Sequence, residues 1–243
     1  MLKIWDASNF RRTLGALCIT AAPVLFAFGE MTGPSGDGPA ALLTEYARNR
    51  GAALSYIYLG AAVSVLWIAA SFALLTVLRR RGVVLGHVAA ILVVLGVSLS
   101  GLMLNGASLM IWAMSSPGVD QHAMLTFLQQ VQHEPAAAPM TFGHELMAIG
   151  IVLFGLAIWR SGFGYRWAGP LIALGVLLDV VAGTVGLEDT RTGDLVFSLI
   201  SNAMLVAGLG SVGLRMVWLG DAEWGSAAAQ ETSPTRPVAS AQG

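Results

Sequence analysis

Residues 83–113 read VVLGHVAAILVVLGVSLSGLMLNGASLMIWA, a stretch without a single Asp, Glu, Lys or Arg. A transmembrane helix needs about 20 mostly apolar residues, and this stretch exceeds that length. We therefore expect it to tilt, or to project beyond the bilayer before Pro117 ends it. Five further stretches are also apolar and long enough to span a membrane: about 12–29, 52–78, 141–160, 165–187 and 194–219.

Helices are the predicted structure of all six stretches. Backbone polar groups in lipid must be satisfied within their own segment, and none of the stretches shows the short-range alternation of a membrane barrel. The sequence therefore predicts an all-α fold, a polytopic membrane bundle of six transmembrane helices over residues 1–222. Residues 223–243, rich in Ala, Ser, Pro and Gln, are predicted to form a disordered cytoplasmic tail.

The composition agrees with a membrane location. Hydrophobic residues make up 56% of the 243 positions and charged residues only 11%, whereas soluble domains carry about 25% charged residues. The mean hydropathy is +0.71, and a net charge of −1 offers no basic surface for nucleic acid. These values exclude an ordinary soluble enzyme, a disordered protein and a nucleic-acid binder. The lipid bilayer is the first predicted partner.

The basic residues predict the orientation of the bundle, because Lys and Arg are retained on the cytoplasmic side. With the N-terminus inside, only three of the thirteen basic residues fall in outer loops: Arg48, Arg50 and Arg191. We therefore expect both termini in the cytoplasm. An alternative is that Ala27-Phe28-Gly29 marks a signal-peptide cleavage site, which would leave five helices and an outer N-terminus.

The two long outer loops are predicted to contain helices. A short helix is expected from Ala40 to Asn49, after a turn-rich run of Gly and Pro. In the second loop, apolar residues recur at helical spacing between Ala123 and Val131, and Asp120 is a plausible N-cap. This second helix either lies on the membrane surface or packs over the helix ends.

Polar side chains inside the spans concentrate in the outer half of the bundle. Asp179, Asn105 and Asn202 lie at a similar depth, about 12 Å below the outer helix ends. His144, Glu145 and Tyr56 lie nearer that surface. Such groups need partners or a wet cavity, so we expect an outer polar pocket whose ligand-binding residues are Asp179, Asn105, Asn202, Glu145, His144 and Tyr56. The alternative is that these groups only hold the helices together.

Known catalytic and cofactor patterns fail on spacing. His144-Glu145 begins like a zinc-protease motif, but Ala148 stands where the second histidine is needed. His87 and His144 are about 20 Å apart along the membrane normal, too far to share a haem. We therefore predict no catalytic residue, no metal and no cofactor. One alternative stays open, an outer metal site in which His122 and His133 approach His144 or Glu188 and Asp189.

Two segments resemble a known group of proteins. The chain resembles uncharacterised actinobacterial integral membrane proteins that carry a domain of unknown function. The resemblance lies in the six-span layout and in two segments, Phe10-Arg11-Arg12-Thr13-Leu14-Gly15 and the run from Gly38 to Gly51. This resemblance implies a bacterial plasma-membrane protein and supplies no catalytic residues. The layout is also similar to the substrate-binding subunits of energy-coupling-factor transporters, which bind their ligand in the outer half. Those subunits carry a small-residue signature in their first span that couples them to the transporter. The small residues of span one in this chain, Gly15, Ala16, Ala21 and Ala22, depart from that signature.

The leading functional hypothesis is a membrane protein whose outer polar pocket binds or transports a small neutral or cationic solute. Ten of the fourteen acidic residues lie in the membrane or beyond its outer face, which disfavours anions there. The alternative is an accessory or scaffold subunit of a larger membrane complex. An enzyme is the weakest of the three hypotheses, because no catalytic constellation survives the spacing tests.

Overall fold

The structure, a computed structural model, describes residues 7–34, 36, 38–79, 82–132, 138–185 and 191–219. Within these ranges the regular structure is helical, as predicted. Its helices are α1 (Ala7–Thr32), α2 (Pro39–Arg48), α3 (Arg50–Val77), α4 (Val83–Gly96), α5 (Leu102–Met114), α6 (Gln121–Gln132), α7 (Ala138–Ser161), α8 (Ala168–Val185) and α9 (Arg191–Trp218). A π-helical turn, Val97–Gly101, joins α4 to α5 without a break. The predicted tail, 223–243, lies outside the described residues.

Five helical segments are long and apolar enough to cross a membrane: Asn9–Thr32, Arg50–Val77, Val83–Met114, Ala138–Ser161 and Val196–Trp218. Large apolar side chains such as Leu17, Val65 and Val84 are more than 60% exposed on the bundle surface, as expected for helices that face lipid. The chain is thus a multi-pass membrane protein. The predicted sixth span, 165–187, corresponds to α8, whose apolar part, Ala168–Ala182, is shorter than a typical span. A sixth crossing therefore stays a prediction.

The long helices form a ring. Helix α1 packs on α3 and α9, α3 on α4 and α5, α4 on α7, α7 on α8, and α8 on α9. Neighbours along the chain are thus neighbours in space, and the contact of α1 with α9 closes the circle. Fully buried apolar side chains from around the ring, including Ile19, Phe154 and Leu209, form the core.

Glycines allow the helix backbones to approach closely on one side of the ring. An added Cβ at Gly150 in α7 would lie 2.8 Å from the backbone nitrogen of Val93 in α4. An added Cβ at Gly169 in α8 would collide with the carbonyl oxygen of Gly155 in α7. Small residues at helix interfaces are typical of membrane bundles, where van der Waals packing replaces the hydrophobic effect.

Two short helices lie at one end of the bundle, which we call the capped end. Helix α2 (Pro39–Arg48) matches the predicted helix 40–49 and contacts α3, α5 and α6. Helix α6 is the second predicted loop helix. Its N-cap is confirmed, because a side-chain oxygen of Asp120 accepts hydrogen bonds from the backbone N–H groups of His122 (3.0 Å) and Ala123 (3.2 Å).

We expect Asp120→Ala to destabilise the first turn of α6 by about 1 kcal/mol, because two backbone N–H groups lose their acceptor. Hydrogen exchange of the His122 and Ala123 amides should accelerate, while exchange in the core of α7 stays unchanged. Asp120→Asn retains a capping oxygen and is the matched control. Equal exchange in all three proteins would contradict the assigned cap.

Candidate functional site: a cavity at the capped end

A cavity of about 400 Å³ lies inside the capped half of the bundle, among α1, α3, the α4–α5 segment and α7. This volume falls within the range of small-molecule sites, about 300–1,000 Å³. The cavity follows one face of α3 from Tyr56 to Trp67, a length of about 16 Å. Its wall is mostly apolar, and its polar side chains are Glu30, Tyr56, Ser64, Trp67, Ser100, Asn105, Ser108, Thr141 and His144.

Asn105 forms the centre of the polar wall. Its Nδ2 donates to the carbonyl oxygen of Gly101 at 2.7 Å and to Ser64 Oγ at 3.4 Å. The Ser64 hydroxyl in turn donates to the carbonyl oxygen of Gly60 at 2.9 Å. Gly60 gives the amide room against α3, because an added Cβ would collide with Asn105 Oδ1 in its present position. Among the described residues no group donates a hydrogen bond to this oxygen, so it is an available acceptor.

The π-helical turn shapes this wall. Leu102 N–H bonds to the carbonyl oxygen of Val97, five residues earlier. Val97, Ser100 and Gly101 of the turn line the cavity. A π-helical turn adds one residue to a helical turn, so it rotates the face of the helix that follows it, and such turns recur at functional sites. Sequence reasoning missed this turn, and its only signal was a cluster of small residues, Gly96, Ser98, Ser100 and Gly101.

Trp67 lies on the cavity wall about one turn beyond Ser64 and was missed as a site residue. The side chain is only 3% exposed, and its Nε1 is buried without a hydrogen-bond acceptor among the described residues. An unsatisfied buried donor costs about 1–3 kcal/mol. Buried Trp usually finds a partner for this N–H, and none is present among the described residues.

The carboxylate of the cavity wall lies at the rim, near the capped end. It belongs to Glu30, and Tyr56 and His144 lie at the same end of the cavity. Both Glu30 and His144 are exposed. No Lys or Arg is found among the described residues of the wall. A wall with a carboxylate and without a cationic side chain favours neutral or cationic molecules over anions.

The six predicted site residues divide into two groups. Tyr56, Asn105 and His144 line the cavity, whereas Asp179, Asn202 and Glu145 are not among the described residues of its wall. The ligand-binding role of all six stays a prediction, but the structure places only the first three together.

Helix packing explains the positions of some of the three predicted site residues that lie outside the cavity wall. Asn202 is buried in α9 and its Nδ2 donates to Ser198 Oγ of the same helix at 3.1 Å. The neighbouring Ser201 hydroxyl donates across to the Gly175 carbonyl oxygen of α8 at 3.0 Å. Asp179 is half-buried on α8, one turn after Gly175. Glu145 is exposed, and it follows His144 by about 100° around α7.

A clamp of three side chains joins α3 to α5 above the cavity. One guanidinium nitrogen of Arg50 donates to the Trp112 carbonyl oxygen at 2.9 Å and to Ser115 Oγ at 3.0 Å. The guanidinium also lies 4.4 Å from the centre of the Trp112 ring, and Trp112 Nε1 donates back to the Arg50 carbonyl oxygen at 3.1 Å. The clamp therefore holds the capped ends of the two helices that carry Ser64 and Asn105.

Tyr46 of α2 is buried against this clamp, in a cluster with Ala53, Ile57 and Trp112. Burial raises the pKa of the Tyr46 phenol, and a side-chain hydrogen bond with Ser108 lowers it in part. The neutral phenol is therefore the form that holds α2 on the bundle. Because the folded-state pKa is raised, this contribution is present below pH 10 and is lost as the pH rises through the folded-state value.

Within the described residues, no group of three or more His, Cys, Asp or Glu side chains is arranged to hold a metal ion. The alternative metal site falls partly outside those residues, since it requires His133, Glu188 and Asp189. Comparisons with protein-family models, curated proteins and solved structures find no match to this chain. The resemblances stated from the sequence therefore stay predictions.

Proposed function

We propose that this protein binds a small neutral or cationic solute in the cavity at the capped end. The observation that carries this proposal is the polar wall of an otherwise apolar cavity inside the membrane-spanning bundle. Asn105 supplies an acceptor oxygen, and Ser64 fixes the orientation of the amide. A ligand with a hydrogen-bond donor would satisfy this oxygen, and Glu30, Tyr56 and His144 would contact the ligand at the rim.

The proposal includes an orientation. The capped end contains the two long loops that the distribution of Lys and Arg assigns to the outer face. With that orientation both termini are cytoplasmic, the membrane is a bacterial plasma membrane, and the cavity takes its solute from outside. The proposal also includes six membrane crossings, of which α8 is the fifth. Binding alone and binding followed by transport both fit this geometry.

We expect Asn105→Leu to remove ligand-dependent stabilisation. A leucine keeps most of the side-chain volume and deletes the amide, so a bound solute loses at least one hydrogen bond, worth about 1 kcal/mol or about fivefold in affinity. The measurement is the thermal unfolding temperature of the purified protein in detergent, with a panel of neutral, cationic and anionic metabolites. The parent should shift with a neutral or cationic compound and the variant should shift less.

Asn202→Leu is the matched control, because Asn202 is a buried asparagine whose described hydrogen bond lies within its own helix, outside the cavity. It should retain the ligand-dependent shift, as should Asp179→Asn. An equal loss in Asn105→Leu and Asn202→Leu would contradict a site at Asn105. Loss of the ligand-dependent shift in Asp179→Asn alone would instead indicate a ligand site around Asp179, as the sequence predicts.

A second function, an accessory subunit of a larger membrane complex, is favoured by Glu145. This carboxylate is exposed on α7, about 10 Å from the start of the helix, where contact with lipid is costly. A basic or hydrogen-bonding partner helix would relieve that cost. Affinity purification in mild detergent tests this function. A stable partner that is retained by the parent and lost in Glu145→Gln would support it, and a chain that purifies alone would oppose it.

A further inference from the structure

The polar side chains deep in the cavity have already committed their hydrogens to the protein. Asn105 Nδ2 donates to the Gly101 carbonyl oxygen and to Ser64 Oγ. The hydroxyl groups of Ser64 and Ser100, which both line the cavity, each donate to the backbone carbonyl oxygen four residues earlier, at 2.9 and 2.8 Å. A hydroxyl whose hydrogen is used still has an oxygen lone pair to offer. These three side chains therefore present acceptors to a ligand.

The other polar groups of the described wall add no donor at this depth. The indole N–H of Trp67 is buried out of reach of a ligand. Ser108 is hydrogen-bonded to the phenol of α2. Groups that can donate, those of Tyr56, Thr141 and His144, lie towards the capped end. The deep part of the described wall thus accepts hydrogen bonds and offers none.

The carboxylate of the wall lies about one helical turn from these acceptors. Tyr56 marks the position of the Glu30 end of the cavity along α3, because an added Cβ at Gly29 would lie 3.9 Å from the Tyr56 ring. Gly60 marks the position of Asn105 Oδ1. Tyr56 and Gly60 are four residues apart, a rise of about 6 Å. A carboxylate attracts a cation more strongly in a mostly apolar cavity than in water.

We infer that the ligand of this cavity is an amine in its ammonium form, attached to an apolar body. This inference rests on the proposed function and narrows its solute. An ammonium group has three N–H donors and no acceptor, so it matches a wall of acceptors. A hydroxyl or carboxamide head adds acceptor lone pairs that the deep wall does not satisfy. Apolar side chains of the wall, including Phe26, Leu59 and Met147, contact the body.

The test compares four probes that share a phenethyl body: phenethylamine, phenethyltrimethylammonium, 2-phenylethanol and 3-phenylpropanoate. Affinities come from the rise in the thermal unfolding temperature of the purified protein in detergent as each probe is titrated. Phenethylamine should bind most tightly. The alcohol should bind about tenfold more weakly, because charge-assisted hydrogen bonds are about twice as strong as neutral ones. The trimethylammonium probe keeps the charge without N–H donors and should lose a similar factor, and the carboxylate should give no shift.

Glu30→Gln removes the charge of the carboxylate and keeps its size. It should weaken phenethylamine about tenfold and leave the affinity for 2-phenylethanol unchanged, a difference that a general structural effect would not produce. Glu145→Gln is the matched control, since Glu145 is an exposed carboxylate of α7 that is not among the described residues of the wall. It should keep the affinity of the parent for both probes. Asn105→Leu should weaken both probes.

The outcomes separate the ammonium from the proposed function. Equal affinity for phenethylamine and 2-phenylethanol would overturn the ammonium head, and equal affinity for phenethyltrimethylammonium would overturn its N–H donors. Equal losses in Glu30→Gln and Glu145→Gln would overturn the attraction by Glu30. In each of these cases a shift that Asn105→Leu reduces still supports the proposed function. A parent that no probe and no member of the solute panel stabilises would overturn both.

Discussion

Gly96→Ala is expected to lower the free energy of unfolding by about 3 kcal/mol, because the new methyl group overpacks a contact between two backbones. An added Cβ at Gly96 would lie 2.6 Å from the Gly143 carbonyl oxygen and 2.5 Å from the Met147 backbone nitrogen. Neither atom can move without shifting α7. Thermal or denaturant unfolding in detergent, followed by loss of monodisperse protein or by circular dichroism, measures the effect.

Gly106→Ala is the control for this substitution. Gly106 lies in α5 of the same spanning segment, and an added Cβ there meets nothing within 4 Å. Because alanine is the better helix former, this variant should be more stable than the parent by up to about 1 kcal/mol. Opposite signs at positions 96 and 106 are the predicted outcome. A neutral or stabilising effect at both positions would show that α4 and α7 do not touch at Gly96.

Arg50→Ala should be the next most damaging substitution, with a loss of about 2 kcal/mol from the two hydrogen bonds and the contact with the Trp112 ring. The effect should concentrate at the capped end, since the clamp joins α3 to α5 there. Hydrogen exchange of α2 and of the last turn of α5 should therefore accelerate more than exchange of α8. Ligand affinity should fall as well, because the clamp positions the helices of Ser64 and Asn105.

Arg48→Ala provides the comparison for Arg50→Ala. Arg48 is an exposed arginine at the end of α2, two residues before Arg50, and its loss should change stability by less than about 0.5 kcal/mol. Arg50→Lys keeps the charge and loses the planar guanidinium, so it should recover only part of the difference. Equal effects of Arg48→Ala and Arg50→Ala would indicate a general response to lost charge instead of a specific clamp.

Much of the fold follows from apolar run length. The predicted spans 52–78 and 141–160 differ from α3 (Arg50–Val77) and α7 (Ala138–Ser161) by at most three residues at either end. The cap helices were also predictable, because turn residues and Asp120 mark their starts. These features are local, and local sequence determines them. The orientation stays a prediction, because it is defined relative to the membrane. The sixth crossing also stays a prediction, because the described apolar part of α8 is shorter than a typical span.

The site was less predictable, because it depends on how helices rotate and pair. Depth along each helix placed Asp179, Asn202 and Asn105 at one level, but depth does not determine which face points inwards. The π-helical turn changes the face that α5 presents, and it brings Asn105 to Ser64 of α3. The faces of Ser201 and Gly175 meet each other between α9 and α8. Similar stripes of small and polar residues thus serve a cavity in one place and helix packing in another.

Cysteine accessibility measures whether Asn105 faces a cavity that a ligand can enter. Asn105→Cys and Asn202→Cys are each introduced with Cys18→Ser, which removes the one native cysteine, and reacted with N-ethylmaleimide in vesicles. The thiolate is the reactive form and needs contact with water. We expect labelling at position 105 that is blocked by the compound that stabilises the parent, and little labelling at position 202. Equal labelling at both positions, or labelling at position 105 that no ligand blocks, would contradict a binding site at Asn105.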